Sequence, residues 1–280
     1  MKNRISTAAL IVLLFAGVSL LLYPGVSDYW NSLHATQAVS NYAQQVQTMD
    51  RSRYETMWDD AVAYNRSLLT RSTDFTLTGA QKQQYDALLN VDGTGIMGYI
   101  EIPTIKLSLP IYHGTDDPVL QVGAGHIEWS SLPTGGESTH CVLSGHRGLP
   151  SARLFSDLDQ LAAGDTFVIR VLDEVMTYEV DQILIVEPAD VSALTIEDGK
   201  DLCTLVTCTP YGINSHRLLV RGHRVENASE AIRVTSDAVQ IEPLIVAPLV
   251  AMPLLLALLI LLLLPRSKKK PHGGTDNAEV

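Results

Sequence analysis

Basic residues are scarce in this sequence, and none of them forms a stripe along its central part. Lysine and arginine total 20 against 31 aspartates and glutamates, which gives a formal net charge of −11 at pH 7. A chain of this charge is repelled by a phosphate backbone, and no RNA-binding signature is present. These absences argue against a nucleic-acid-binding protein.

Repeats, low-complexity segments and metal-binding loop patterns are also missing. Asp116, Asp117 and Asp201 are acidic residues that could suggest a calcium site, but their spacing fits no calcium-binding loop. We therefore expect no metal and no organic cofactor.

Long apolar runs are present only near the two ends of the chain. Residues 5–23 contain no charge, and residues 243–265 are rich in leucine. Each run is long enough to cross a hydrocarbon core of roughly 30 Å. The basic leader Lys2 and Arg4 also fits a cleaved signal peptide, but no small-x-small site follows the first run, so we favour a retained anchor.

The second apolar run is followed by a basic cluster, Arg266 and Lys268 to Lys270. Such clusters stay in the cytoplasm. We therefore predict two transmembrane segments, both termini in the cytoplasm, and one domain on the outer side of the membrane between them.

The texture of the exported part changes near Gly98. Before it, helical spacing predicts two helical pieces over residues 28–69, broken near 49–52, and a further helix over residues 80–89. After it, short β-type runs predict a closed or nearly closed β-barrel with one helical insertion near residues 151–161. These runs are residues 98–102, 107–112, 141–145, 166–172, 176–188, 202–208 and 217–222.

Cysteine is rare, with three in the chain, and Cys208 stands at the end of an apolar run. The Pro/Gly/Asn turn that follows reverses the chain, so Arg217 begins the next strand at the same end of the sheet. Thiolate sulfur is a strong nucleophile, and a guanidinium can stabilise the oxyanion that forms when sulfur attacks an acyl carbon. We expect the two side chains to converge on one site.

Such a site also needs a proton-transfer partner, and the sequence contains eight histidines. His146 follows the apolar run CVLSG at a strand end, where a side chain can project into a cleft. His126, His216 and His223 are its rivals, and the pattern alone does not choose among them.

Four stretches together resemble the sortase family, most closely its class C, pilin-polymerising branch: TLVTC followed by Arg217, LSGHRGLPSARLFSDLDQL, LPIYHGT and MGYIEIP. The resemblance covers residues 64–225 and implies an eight-stranded sortase barrel preceded by helices and flanked by the two membrane segments. It implies this order: anchor 1–24, helical region 25–90 with a lid near 70–79, barrel 91–228, linker 229–242, second span 243–265 and tail 266–280.

The resemblance also implies the chemistry of the site. Cys208 is the expected nucleophile, His146 the general acid and base, and Arg217 the oxyanion and substrate clamp. Sortases cut an LPXTG-type sorting signal between Thr and Gly, hold the Thr as a thioester and pass it to an amine. The expected partners are pilin or surface proteins that carry this signal, with a pilin lysine as acceptor, in the membrane of a Gram-positive bacterium.

Class C sortases carry a lid with an Asp-Pro-aromatic motif, and here the corresponding place reads TDFTL without the proline. The resemblance implies that Phe75 covers Cys208 and that Asp74 pairs with Arg217, while the alternative is an ordinary polar linker. Loss of a fixed φ should make this segment more flexible.

The other two cysteines, Cys141 and Cys203, lie five residues before His146 and Cys208, respectively. If their strands are neighbours, as in the sortase barrel, the two thiols come close. Outside the cytoplasm they could form a disulfide, and the alternative is two small buried side chains without a bond.

Three other functions compete with pilin polymerisation. They are a housekeeping sortase that uses a peptidoglycan amine, a cysteine protease that resolves the same thioester with water, and a catalytically silent binding module at the membrane.

Overall fold

The computed structural model describes residues 2–70 and 75–227, together with Leu256. The chain divides into two compact units, Met1–Thr235 and Ser236–Val280. The predicted linker, second span and cytoplasmic tail lie outside the described residues, apart from Leu256, and so does Asp74 in the predicted lid.

Helices fill the described part of the chain that precedes the barrel. They are α1 (Lys2–Gln47), α2 (Arg51–Leu68) and α3 (Gly79–Ala87), and one further short helix, α4 (Asp117–Leu120), lies between strands. The break between α1 and α2 falls where the sequence predicts it. Thr78 and Gln81 form a capping box that fixes the start of α3.

Helix α1 contains the first apolar run and continues past Pro24 without a break. Within residues 2–70 and 75–227 it is the one helix long and apolar enough to cross a bilayer. Its apolar side chains from Leu10 to Leu21 are largely exposed in the isolated protein, as expected for a segment that a membrane surrounds.

Eight strands close into a barrel in the order β1-β2-β3-β4-β7-β8-β6-β5. Pairs β2–β3 and β4–β7 are parallel, and the other neighbours are antiparallel. The strands are β1 (Ile96–Ile102), β2 (Leu107–His113), β3 (Ala124–His126), β4 (Thr139–Ser144), β5 (Thr166–Val171), β6 (Glu174–Val186), β7 (Asp201–Thr209) and β8 (His216–Val225).

The fold class predicted from the sequence is confirmed, with two local differences. Strand β3 has only three residues, too few to show an alternating pattern. The helical insertion predicted near residues 151–161 is shorter than expected, a 3₁₀ helix over Leu158–Gln160. Leu154 adopts a left-handed backbone with φ of 43°, which ends a helix, and buried Phe155 anchors the segment.

Strands β4 and β7 bury both of their faces. Cys141, Leu143, Cys203 and Leu205 point into the barrel core. The alternate residues form a second, smaller cluster outside the barrel, here called the outer apolar cluster. Its buried members are Val142, Leu194, Val206 and Leu219, and Ile127, Trp129, Leu184, Val186, Val191 and Ala193 pack against them.

The helices attach to the barrel through buried polar side chains. Tyr42 of α1 donates to the carbonyl of Met97 at 3.0 Å and accepts from the backbone N–H of Leu172 at 2.8 Å. Asn65 of α2 accepts from the N–H of Leu132 at 2.7 Å and donates to its carbonyl at 3.0 Å. Buried groups satisfied in this way fix the helices in one position.

Gly145, between β4 and His146, leaves room for the ring of Phe155. A Cβ at this position would lie 2.5 Å from Cδ2 of Phe155. We predict that Gly145→Ala lowers the free energy of unfolding by about 1–3 kcal/mol, because the ring and the segment that carries it must move. Denaturant unfolding of the detergent-solubilised protein measures the change.

Gly79→Ala is the matched control, since no atom lies within 4 Å of its added Cβ and its φ is not positive. This variant should be neutral or slightly more stable. Equal stability of the two variants would contradict the packing argument.

Candidate functional site

Cys208 and Arg217 are direct partners in the antiparallel ladder between β7 and β8. Side chains at opposed positions lie on the same face, with Cβ atoms about 4.5–5.5 Å apart. The turn at residues 210–215 that separates them is closed by N–H groups of Ile213 and Asn214, which donate to the carbonyl of Pro210. The ladder therefore places the side chains of Cys208 and Arg217 on the same face at one end of the barrel.

His146 reaches the same level from the other side of β7. The parallel register of β4 and β7 ends with Ser144 opposite Val206. Gly145 extends it, because its N–H donates to the carbonyl of Val206 at 3.0 Å and its carbonyl accepts from Oγ1 of Thr207 at 2.7 Å. Continued by one more residue, this register sets His146 beside Cys208.

These three residues are half-buried, so solvent and a substrate can reach them. Arg217 donates from Nη1 to the carbonyls of His216 at 3.1 Å and Asn214 at 3.3 Å. It forms no ion pair within the described part of the chain. Its other N–H groups are available to a substrate carbonyl.

The three rival histidines occupy different environments. His126 is fully buried in β3, where its Nδ1 pairs with the hydroxyl of Tyr85 at 2.8 Å and its Nε2 donates to the carbonyl of Ser131 at 2.8 Å. Both ring nitrogens are occupied inside the barrel, so neither is open to a substrate.

His216 and His223 lie on β8 but away from the sulfur. His216 precedes Arg217 and is opposite Thr209, so alternation directs it to the other face. Its ring pairs with the hydroxyl of Ser215 at 2.9 Å. His223 is opposite Leu202, six residues along β8 from the level of Cys208, and its ring is 4.0 Å from Asp181.

Arg147 is a residue of the site that the sequence analysis missed. Its Nη1 donates to Oγ1 of Thr209 at 3.2 Å, its Nη2 pairs with Asp159, and its guanidinium lies 6.0 Å from the ring centre of Tyr211. These contacts join the segment that carries His146 to the strand end that carries Cys208. The one available signal was the position of this arginine, directly after the candidate histidine.

An apolar floor extends from Cys208 along β7. Val206 precedes the cysteine by two residues on the same face and packs in the outer apolar cluster. Further along this face, His140 bonds the hydroxyl of Thr204 at 2.7 Å and the carbonyl of Thr195 at 2.8 Å. Burial lowers the pKa of His140, so its ring is neutral at pH 7 and serves the structure of the floor.

Ion pairs hold the connection between β6 and β7 beside this floor. Arg221 of β8 pairs with Asp181 at 2.9 Å and with Glu197 at 2.8 Å. The connection carries Val191, Ala193 and Leu194, which pack on the outer apolar cluster. The result is a partly exposed apolar surface beside the strand end that carries Cys208.

The predicted lid residue Phe75 contacts Trp129, which packs against the outer apolar cluster. Its ring meets Trp129 edge-on, with centroids 4.9 Å apart and an interplanar angle of 74°. Phe75 remains 45% exposed. That Phe75 covers Cys208 and that Asp74 pairs with Arg217 both remain predictions.

Cys141 and Cys203 are opposed in the parallel ladder and buried inside the barrel. Both are free thiols in this structure, within hydrogen-bonding contact of each other. Burial raises the pKa of the Cys203 thiol, which keeps it neutral at pH 7. The disulfide between them stays a prediction.

Metal-binding geometry is absent from the described residues, in which no three His, Cys, Asp or Glu side chains are grouped to hold an ion.

The exposure of the three cysteines predicts their reactivity. A charged methanethiosulfonate should add once to the native protein, at half-buried Cys208, and not to the other two, which are at most 2% exposed. Intact mass spectrometry measures the adducts.

The same reagent also reports the state of the inner pair. After unfolding without reductant, three adducts indicate free thiols and one adduct indicates the disulfide. Native Cys208→Ala should take no adduct, and an adduct on this variant would contradict the assignment of the reactive thiol.

Comparison with known proteins identifies the fold. Residues 100–225, which include the three residues at the rim, match the Sortase domain. Sortase D of Bacillus subtilis (strain 168) is 35% identical over 131 residues, which are 46% of this chain and 63% of that protein. The chain thus matches less than two thirds of that relative's length.

Solved structures match over a larger part of this chain. Sortase C1 from Streptococcus agalactiae is 52% identical with a TM-score of 0.67, and the match covers 69% of this chain and all of that one. Sortase C of Streptococcus pneumoniae is 42% identical with a TM-score of 0.61, covering 68% of this chain and 97% of that one. With a domain match through the whole barrel and a class C neighbour matched over its full length, this chain belongs to the sortase family of cysteine transpeptidases.

Proposed function

We propose that this chain is a membrane-anchored class C sortase that polymerises pilin subunits. It cleaves an LPXTG-like signal between Thr and Gly and transfers the Thr carbonyl to a lysine amine of the next subunit. The observation that carries this proposal is the placement of Cys208 between His146 and Arg217 on three neighbouring chain segments at one barrel end. The class C neighbours support it, and the structure of Streptococcus pneumoniae sortase C has been related to pilin substrate specificity.

In the first half-reaction His146 accepts the thiol proton of Cys208, and the sulfur attacks the carbonyl carbon of the signal's Thr. The C=O electron pair moves to oxygen, where the N–H groups of Arg217 stabilise the charge. The C–N bond to Gly then breaks, and His146 donates a proton to the leaving amine. The product is a thioester at Cys208 and a released fragment that begins with Gly.

In the second half-reaction a lysine amine attacks the thioester carbon. His146 accepts the proton that the amine loses, and Arg217 again stabilises the oxyanion. The C–S bond breaks, its electron pair returns to sulfur, and an isopeptide bond joins the two subunits. A thioester suits this step because it keeps the acyl group activated for an amine.

The apolar surface beside Cys208 supports recognition of a signal that begins with leucine and proline. Its partly exposed side chains, such as Leu184, Val186 and Val191, pack on the outer apolar cluster, and Val186 is paired with Arg217. Binding there is favourable because apolar side chains of the signal leave water, and the scissile bond then lies at the sulfur.

Anchoring by α1 supports the location of this reaction at the outer face of a cell membrane. The helix is apolar and long enough to span a bilayer. The second span and the cytoplasmic position of both termini remain part of the proposal.

Cys208 and Arg217 should differ in what they contribute. Cys208→Ala should abolish transfer, since no thioester can form. Arg217→Lys should lower kcat/KM by about 10²–10³-fold, because a single ammonium replaces the guanidinium fork beside the oxyanion. Arg224→Lys, on the same strand but bonded to Val175, is the matched control and should transfer at the wild-type rate.

Chromatographic assay of a fluorescent sorting-signal peptide with an added amine measures these rates. Transfer by Cys208→Ala close to that of the wild type would overturn the mechanism. Equal losses in the two arginine variants would remove the special role of Arg217.

The acceptor is tested by competition. We expect a pilin-derived lysine peptide to divert most of the thioester from hydrolysis, measured as the ratio of transfer product to free acid. A preference for a peptidoglycan amine would favour the housekeeping function. A ratio unaffected by any amine would indicate a protease.

The lid is tested through access to Cys208. Phe75→Ala should raise the rate of Cys208 labelling several-fold, because the lid loses the ring by which it contacts Trp129. Val122→Ala is the matched control, since Val122 has the same exposure of 45% in a different part of the barrel. Unchanged labelling in Phe75→Ala would leave an ordinary linker as the correct description of the segment.

A further inference from the structure

Helix α1 touches the barrel at two heights. Near its membrane end, Asp28 accepts from the N–H of Arg153 at 2.6 Å, and Asn31 donates to the carbonyl of Ser151 at 2.9 Å. Near its other end, Tyr42 bonds Met97 and Leu172. The helix therefore lies along the side of the barrel, with its apolar run beyond the first attachment.

These two attachments lie at opposite ends of the barrel. Ser151 and Arg153 belong to the loop that follows β4 and contains His146, and the carbonyl of His146 accepts from the N–H of Phe155 in the same loop. Leu172 lies in the turn between β5 and β6, at the level where β8 ends, because β6 begins there and pairs with the last residues of β8. Cys208 is paired with the second residue of β8, at the other end.

The direction of α1 then determines which barrel end faces the membrane. Tyr42 lies eleven positions after Asn31, a rise of about 16 Å in a helix, while the apolar run ends at Tyr23, before both. Helix rise places Asp28 about 7 Å beyond Tyr23. Even a fully extended segment through Pro24 would reach only about 18 Å.

The helical distance of about 7 Å from Tyr23 to Asp28 is comparable to the depth of the headgroup region. A bilayer has a hydrocarbon core of about 30 Å within a total of about 40–45 Å, which leaves some 5–8 Å of interface on each side. The loop that carries His146 is thus attached to α1 at or just above the headgroups.

The turn between β7 and β8 presents apolar side chains at this same end. Tyr211 and Ile213 are 63% and 72% exposed. Tyr211 lies beside Gly148 of the His146 loop, since a Cβ on that glycine would be 3.2 Å from its ring. Aromatic and aliphatic side chains exposed at headgroup depth are typical of a membrane-contacting surface.

We infer that the catalytic end of the barrel rests on the outer leaflet, with the 210–215 turn inserted in the lipid interface through Tyr211 and Ile213. The partner of this surface is the bilayer that holds α1. The inference rests on the membrane anchoring in the proposed function, and it adds an orientation: the site opens toward the membrane, and the distal end, with Glu137, points away.

Depth-dependent quenching of a label tests this orientation in the full chain. Ile213→Cys in a Cys208→Ala background carries one nitrobenzoxadiazole label, since Cys141 and Cys203 are buried. The protein is reconstituted in phosphatidylcholine–phosphatidylglycerol vesicles with or without a nitroxide on the upper acyl chain. We expect quenching at position 213 at least about twofold that at Glu137→Cys, because the barrel separates the two positions by several strand residues of about 3.3 Å each.

Phe15→Cys, in the apolar run, reports whether α1 is in the bilayer, and Tyr211→Cys provides a second site on the turn. Quenching at 15 with equal weak quenching at 213, 211 and 137 would overturn the orientation and leave anchoring intact. Absence of quenching at 15 would overturn the inference together with its anchor. Neither result affects the transfer assay, which uses the intact Cys208 and thus tests the proposed chemistry separately.

Discussion

The parallel pairing of β4 with β7 is the constraint on which the site depends. The segment that follows β4 carries His146, the end of β7 carries Cys208, and a single register sets both at the same level. The hydrogen bonds of Gly145 continue this register beyond the end of β4 and fix the backbone up to the histidine. Arg217 then needs only the antiparallel turn after β7 to reach the cysteine.

Alternation along β7 gives two cysteines on one strand opposite fates. Cys203 and Cys208 are separated by five residues, an odd number, so one points into the barrel and the other outward. Inside, burial raises the pKa of the Cys203 thiol and suppresses its nucleophilicity. Outside, half-buried Cys208 stands beside an arginine. The same strand thus contributes one cysteine to the core and one to the candidate site.

Much of the barrel could be predicted from sequence because its longer strands alternate clearly and are bounded by turn residues. Seven strands were predicted within a few residues of their positions. The three-residue β3 was not, since its pairing comes from neighbours that are distant in sequence. The sequence predicts a longer helix over residues 151–161, because its apolar residues are spaced as on a helix. In the structure these residues pack on the barrel core, and this packing produces the same spacing without a long helix.

The candidate site divides in the same way. Cys208 and Arg217 could be placed together because a short turn connects them, whereas the choice of His146 needed either the family resemblance or the register of β4. Arg147 was missed because its partners, Thr209 and Asp159, are remote along the chain. The contact of Phe75 with Trp129 likewise joins segments that no local pattern relates.

The two attachments of α1 also restrict how this region can change in length. Each added residue would turn the following helix by about 100°. One residue inserted between Asn31 and Tyr42 would therefore direct the tyrosine away from Met97, while seven would nearly restore its direction but shift it by about 10 Å. Neither change keeps both attachments, so the spacing between them is tied to the height of the barrel.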